Sequence, residues 1–566
     1  MSNRDQKNAF EIGLVMAGAV SAGAYTAGVI DFLLQALDEW YEAKKSHPDD
    51  VPNHEVKLKV MAGSSAGGMT GAITAAILNS EHKPVTSLPG LVPDREVLNN
   101  NKLYDSWVRQ IDIRHLLGRR DLMRTDSKVT SLLDSSVLND IADIAFDFTP
   151  SGRTRDYVAD QLHLLMTITN LKGVPYDITF EGISGATHRI AQHTDYMEFI
   201  LSNNDPEEAG SIWLHPEKPG APEWELVKQY ALATGAFPGG LAPRKLSRKR
   251  IGYDVRKWPI PARPENNDSK CFEMMPILPS WPKSLLEKED YQFLAVDGGV
   301  MDNEPLELAR QRLAGKNGFN ARSPHESRRA VLMIDPFPAE NTADHIEEES
   351  QDDLLSVFKT LFGSLLTQAR FKPDELMLAH SSHVYSRYLI APTRRERNGD
   401  MAQYPIASGT LGGFGGFLSE KFRMHDFQLG RRNCQQFLRR YFAIPVQSCH
   451  KNPVFKHYPD EELNRHSFER DGVSYFPVIP LVGTAQQEAF PLIWNTLRLN
   501  NQDISDLRNR VEARTEIVSR KLLDQYMDGG FSKTMARLIV RFKRKSIVDN
   551  IMDAIEKELR EFKLRV

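Results

Sequence analysis

The sequence predicts an α/β fold followed by a mainly helical C-terminal region, and three strand-to-helix junctions carry the prediction. In the first, Glu55 to Met61 reads as a strand, Gly63-Ser64-Ser65-Ala66-Gly67 spells G-x-S-x-G, and a small-residue helix runs from about Ala66 to Leu78. In the second, Glu11 to Met16 reads as a short buried strand that opens into the small-residue loop Gly18-Ala19-Val20-Ser21-Ala22-Gly23 and then a helix. In the third, the apolar run Tyr291 to Val296 ends in Asp297-Gly298-Gly299, with a helix expected near Asn303-Glu304-Pro305. Apolar runs that pass through glycine-rich turns into helical patterns are the signature of α/β units.

Each junction suggests a chemistry. A strained strand-to-helix turn with small neighbours presents a serine hydroxyl at the sheet edge, and the following helix aims its first amides at the same point. The G-x-S-x-G register selects Ser65 over Ser64 as the nucleophile, with Gly63, Ala66 and Gly67 giving it room. Backbone amides at Gly18, Ala19 and Val20 would form an oxyanion hole. Asp297, at a strand end and followed by Gly298 and Gly299, could take the serine proton directly. The bland alternatives are ordinary glycine turns and a turn-forming Asp-Gly. Asp335, ending the strand-like run Ala330 to Ile334, is a weaker rival for Asp297.

Together the three segments resemble the patatin-like phospholipase family, over roughly residues 8 to 340. The resemblance implies a three-layer α/β/α sheet domain, a Ser65–Asp297 dyad without histidine, and an acyl-enzyme intermediate. It implies no metal and no cofactor. Leu132-Leu133-Asp134-Ser135-Ser136 and Ala231-Leu232-Ala233-Thr234-Gly235-Ala236-Phe237-Pro238-Gly239 are similar to further family segments. The loop departs from the family pattern Gly-Gly-Gly-x-Arg-Gly-Ala-Tyr: two glycines are replaced by Ala19 and Val20, and the basic residue by Ala22. A β-branched valine tolerates positive φ poorly. The expected function is therefore a lipid acyl hydrolase. Two alternatives stand beside it: a catalytically weak or inactive lipid-binding protein of the same fold, and a conventional Ser–Asp–His hydrolase using His380, His383 or His425.

Composition sets wider bounds. At 566 residues the chain exceeds one ordinary domain. A division at 340 is expected, into a catalytic domain (1–340) and a mainly α-helical extension (341–566). A net charge of -4 gives no field for nucleic acid. Three scattered cysteines, Cys271, Cys434 and Cys449, form neither a metal pattern nor a disulfide framework, which suits a cytoplasmic protein. The apolar stretch 12–30 is read as strand, loop and helix rather than as a targeting segment.

Ser80 to Asn101 and 242–290 read as insertions made of surface loops. Ala330 to Asp335 reads as the end of the sheet core. Beyond it come an amphipathic helix, Asp352 to Ala369, a flexible glycine loop, Gly409 to Gly416, and a helix, Arg431 to Tyr441. Ile504, Leu507, Val511, Val518, Leu522 and Tyr526 form one apolar stripe. The last helix sets Arg541, Lys543, Arg544 and Lys545 beside Phe542. Such a helix can give peripheral contact with the inner face of a membrane, though packing on its own protein is the commoner use. The partners expected are a phospholipid or other acyl-ester substrate, with no nucleic acid.

Overall fold

A computed structural model describes residues 9–566, apart from 87–99, 125, 154, 180–186, 262–271, 316–317, 338–353, 371–372, 397, 489–492 and 528–529. Its centre is a nine-stranded mixed sheet in the order β11-β10-β1-β2-β3-β4-β5, where β1 is Ala9–Met16, β2 Glu55–Gly63, β3 Val158–Thr179, β4 Thr187–Leu201, β5 Ile212–Leu214, β10 Arg329–Ile334 and β11 Arg387–Ile390. The remaining two strands are β6 (Arg244–Lys249), paired with β9 (Asp290–Asp297), and β9 in turn pairs with β3. Strands β10, β1, β2 and β3 run parallel, an arrangement that needs cover on both faces.

Side-chain alternation along β1 builds the layers. Phe10, Ile12, Leu14 and Met16 enter the main core. Val15 points to the other face, where it meets Val60, Ala62, Val331 and the helix Leu306–Ala314. On the main-core side lie α1 (Gly23–Ser46) and α2 (Ala66–Ile77). The stretch Val20–Ser46 is apolar and long enough to cross a membrane, but 94% of its apolar window is buried within the protein, as a core helix would be.

Long β3 explains how two distant residues meet. Its inner edge pairs first with β2, ending at Gly63 opposite Met166. The same edge then pairs with β9, which ends at Asp297 opposite Ile168. The outer edge is taken by β4 throughout, with Ile168 opposite Asp195. β9 is antiparallel to β3, so β2 and β9 run head to head along one edge, and their C-terminal residues stop on either side of a short gap.

Several sequence expectations change here. β10 does not end the sheet: residues 387–390 pair outside it in parallel, so chain beyond residue 340 completes the sheet. Part of the expected insertion 242–290 is sheet strand β6, and another part is a hairpin of β7 (Lys257–Pro261) with β8 (Phe272–Pro276); residues 262–271 lie outside the described residues. Most of the other expected insertion, 87–99, and the start of the amphipathic helix, Asp352, also lie outside them. That helix is seen as Leu354–Arg370, with Leu361 and Leu365 exposed.

The helix expected from Arg431 begins eleven residues earlier and spans Glu420–Arg440 (α3). Ser419 caps it by accepting from the Lys421 amide. It packs along α1 at glycine contacts: a Cβ on Gly28 would sit 1.9 Å from the Phe427 carbonyl oxygen, and one on Gly430 would sit 2.2 Å from that of Tyr25.

The C-terminal region is mainly helical, with a small antiparallel sheet of Ala443–Pro445, Phe468–Arg470 and Val473–Pro477, and ends in Asn501–Tyr526 and Gly530–Glu561. Ile504, Leu507 and Val511 pack with Val548, Met552, Ile555 and Leu559, and with Ala407 and Phe422. Leu522 is only partly buried, and Tyr526, expected in the same stripe, is 76% exposed. In the basic cluster, Arg544 lies 2.8 Å from Glu516 and 3.5 Å from Glu512 on the neighbouring helix.

Candidate active site

The elbow begins where β2 runs out. Ser65 has φ 50° and ψ −126°, a conformation that costs a non-glycine residue about 1–3 kcal/mol and persists only where the surroundings enforce it. The enforcement is visible. The Ser64 amide donates to the Met16 carbonyl at 3.2 Å, and the Ser65 amide donates to Thr234 Oγ1 at 2.8 Å. Gly63 and Gly67 are pressed against backbone: a Cβ on Gly67 would lie 2.1 Å from the Met16 carbonyl oxygen, and one on Gly63 would lie 2.5 Å from Gly67. Neither backbone can give way without moving the elbow. Gly67→Ala is therefore expected to destabilise the fold by about 3 kcal/mol or more. A melting curve checks this, and an unchanged Tm would show that the elbow is not so confined.

Ser65 Oγ donates to Asp297 Oδ2 at 2.6 Å, across 232 positions of sequence. The carboxylate is held from the other side by the Gly299 amide, 2.7 Å from Oδ1. Its backbone is fixed by the Ala236 carbonyl, which accepts from the Asp297 amide at 3.0 Å, and by Thr169 Oγ1, which donates to the Asp297 carbonyl at 2.8 Å. Gly298 is packed on Thr167, where a Cβ would lie 2.4 Å from the carbonyl oxygen. Burial pushes the Asp297 carboxyl up to about 7, against the opposing pull of the Ser65 and Gly299 hydrogen bonds and the Arg370 charge. A carboxyl near 7 is a far better proton acceptor than one in water.

The small-residue loop lies alongside. A Cβ on Gly18 would fall 2.9 Å from that of Ser65, so the loop touches the elbow serine. Of its three expected amides, the Gly18 amide is already committed, donating to the Asn303 carbonyl at 3.2 Å. Among the described residues, the Ala19 and Val20 amides make no hydrogen bond to the protein. Val20 has φ 48°, the left-handed conformation its branched side chain resists. Ala66, the first residue of α2, adds a helix-start amide next to Ser65.

The rivals for these roles lie elsewhere. Asp335 accepts from the Phe337 amide at 2.9 Å, a local turn at the end of β10, which is separated from β2 by β1. Among the described residues no histidine is hydrogen-bonded to Ser65. His425 is buried, with Nδ1 2.7 Å from Asp426 Oδ1 and its ring against Trp494. His380 and His383 are exposed.

The sequence reading missed Thr234 and Asn303 as site residues, although both lie in segments it had singled out. It also gave no role to the Leu132–Ser136 segment, whose Leu132 and Leu133 amides donate to the Gly239 and Gly240 carbonyls and so brace the turn that follows Thr234. Apolar residues flank the elbow: a cavity of about 30 Å³ beside α2 is lined by Met69, Ile73, Trp107, Ile141 and Leu232, among others. A far larger space, about 1180 Å³, opens at the opposite ends of β1, β2 and β3 among Lys57, Lys59, Glu11 and Glu55, and holds none of the residues above.

An α/β sheet with a strained serine elbow and a buried partner carboxylate defines a serine-elbow α/β protein. Residues 14–310, more than half of the chain, match the family model described as Patatin-like phospholipase, and the chain belongs to that family. A Sinorhizobium fredii protein, described only as Uncharacterized protein y4iI, is 35% identical over 98% of this chain and 82% of its own length. Among solved structures, VipD from Legionella pneumophila aligns over 97% of this chain and 86% of its own at 12% identity, with a TM-score of 0.23.

Proposed function

We propose that the protein is a lipid acyl hydrolase working through Ser65 and Asp297. The 2.6 Å hydroxyl–carboxylate hydrogen bond at the meeting of β2 and β9 is the observation that carries this reading. Asp297 Oδ2 takes the Ser65 proton as Oγ attacks the ester carbonyl carbon. The tetrahedral oxyanion is received by the Ala19 and Val20 amides, helped by the start of α2. The carbon–oxygen bond to the alcohol breaks, and Asp297 returns the proton to the departing oxygen. Water then enters, and Asp297 takes its proton as the hydroxide adds to the acyl carbon; the bond to Ser65 Oγ breaks, Asp297 returns the proton to that oxygen, and the acid leaves. The dyad asks for no metal or cofactor in any of these steps. The substrate is an acyl ester of a lipid, a phospholipid above all, as the family suggests.

Two measurements test the proposal. A fluorophosphonate probe is expected to label the peptide carrying Ser65, and labelling is expected to vanish in Ser65→Ala. Labelling elsewhere, or hydrolysis surviving in Ser65→Ala, would refute it. The base must be ionised to work, so kcat/KM is expected to rise with pH through an apparent pKa of about 7, set by the buried carboxyl, and to level off above it. A flat profile between pH 5 and 9 would remove Asp297 from the mechanism. Lipid binding without turnover would favour the inactive alternative, for which the strained Val20 is the motive.

A further inference from the structure

We propose that Ser21 is a positioning residue, whose hydroxyl fastens the oxyanion loop to a glycine-rich segment of the C-terminal region and so holds the Ala19 and Val20 amides in place. The role rests on the hydrolase reading above.

Ser21 is fully buried. Its Oγ donates to the Gly413 carbonyl and accepts from the Gly416 amide at 2.9 Å, so both capacities of the hydroxyl are used on chain almost four hundred residues away. The approach is close enough to demand glycine. A Cβ on Gly416 would lie 2.6 Å from Ser21 Oγ and 2.4 Å from Ser408 Oγ. Leu411, Gly412 and Gly413 have φ of 57°, 59° and 94°, three successive left-handed residues that bring the Gly413 carbonyl round to the serine.

The segment expected from its composition to be flexible is anchored from behind by two buried charges on α3. The Asp426 carboxylate accepts from the Ala407 and Ser408 amides at 2.9 and 2.8 Å. Arg423, fully buried, donates to the Gly416 carbonyl at 2.7 Å and the Phe417 carbonyl at 3.3 Å. It also donates to the Val108 carbonyl at 2.9 Å, with Asp112 at 3.4 Å. The anchored segment thus offers a rigid donor and a rigid acceptor.

The loop needs such a partner. It lacks two of the glycines that would let it adopt its shape freely, and Val20 stands at φ 48° directly before Ser21. A valine so placed relaxes unless held on both sides. On one side its methyls sit in the apolar cluster with Phe237 and Phe414. On the other, the Ser21 hydroxyl fixes the next residue. The preceding amides therefore keep a direction that their own sequence does not dictate. Donors aimed at a developing charge lose effect when displaced by fractions of an ångström.

The test compares the full-length protein with Ser21→Ala and Ser21→Thr, the latter keeping the hydroxyl. The readouts are kcat and KM on a soluble short-chain ester, the rate of fluorophosphonate labelling, and amide hydrogen exchange. In Ser21→Ala, kcat and labelling rate are expected to fall about tenfold or more while KM stays within about twofold, because a misdirected hole harms the transition state and not ester binding. Exchange is expected to rise in 17–22 and 409–417 and to stay unchanged in β1. Ser21→Thr is expected to recover most of the rate.

A Ser21→Ala protein with unaltered kcat overturns the proposal. So does one whose kcat, KM and whole-chain protection decline together without rescue by threonine, since that marks general damage. Should the alanine variant fail to fold, Ser21→Cys, a weaker partner in the same place, must lower kcat with KM held, and an unchanged kcat again overturns the proposal. Inertness of the unmodified protein towards both probe and ester refutes the hydrolase reading and takes this role with it, whereas an active parent with an equally active Ser21→Ala refutes this role alone.

Discussion

Replacing Asp297 by asparagine is expected to abolish turnover and, at alkaline pH, to make the protein more stable. The loss of turnover follows from removing the buried carboxylate that accepts from Ser65; general-base removal of this kind costs roughly 10³-fold or more. The gain in stability follows from the sign of the carboxyl shift. Burial raises the group from 3.8 to about 7, so the folded protein holds this proton where the unfolded chain has lost it. Its favourable contribution is complete below about pH 4 and is lost as pH rises through about 7; above that, ionisation is penalised by roughly 4 kcal/mol relative to the unfolded chain. Asparagine has nearly the same shape and never ionises, so it escapes the penalty. The Tm of Asp297→Asn should exceed that of the parent by several degrees at pH 8, and the difference should shrink towards pH 5. Equal Tm values at both pH values would mean that the carboxyl is not strained by its burial, and the case for an activated base would go with it.

The second large effect is structural and lies far from the serine. Asp31, on α1, is fully buried. Burial alone would lift its carboxyl, but the Arg431 guanidinium, with help from His82 and Asn101, holds it below the ordinary range. Arg431 is itself buried and also reaches Gln35. Arg431→Ala strands a carboxylate in the interface between α1 and α3, and is expected to destabilise the protein by about 3–5 kcal/mol. The double variant Asp31→Asn, Arg431→Met should regain more than half of that loss, because a neutral pair of similar volume needs no counter-charge. Denaturant midpoints of the three proteins decide the matter. A single variant as stable as the parent would mean that water reaches Asp31 and that the two helices are not locked together.

What was legible in the sequence was local. Strands β1, β2 and β9, helix α2, the elbow and the Asp-Gly-Gly turn each announce themselves within about ten residues by apolar runs, glycine spacing and helix starts. The family follows from their order. The meeting of Ser65 and Asp297 was readable only through the resemblance: what places them side by side is the register of β3, whose one edge is shared by two strands running head to head, and no local pattern writes that.

The first half of helix α3 hid for a different reason. Arg423, Asp426, Arg431 and Gln435 give it a polar face that suits solvent, yet all of them are buried. Charged residues enter a core only when paired, and their partners, Asp31 and Asp112 among them, lie more than three hundred positions away. The glycine segment 409–416 was misjudged likewise: composition says pliant, and the groups that stiffen it belong to α3.

That edge strand β11 and helix α3 come so late in the chain has a consequence for biosynthesis. Until residues 387–440 have left the ribosome, one margin of the sheet and the outer flank of α1 have nothing to cover them, so the nascent polypeptide cannot close its interior. The sheet that carries Ser65 and Asp297 is therefore enclosed only by chain made long after both residues.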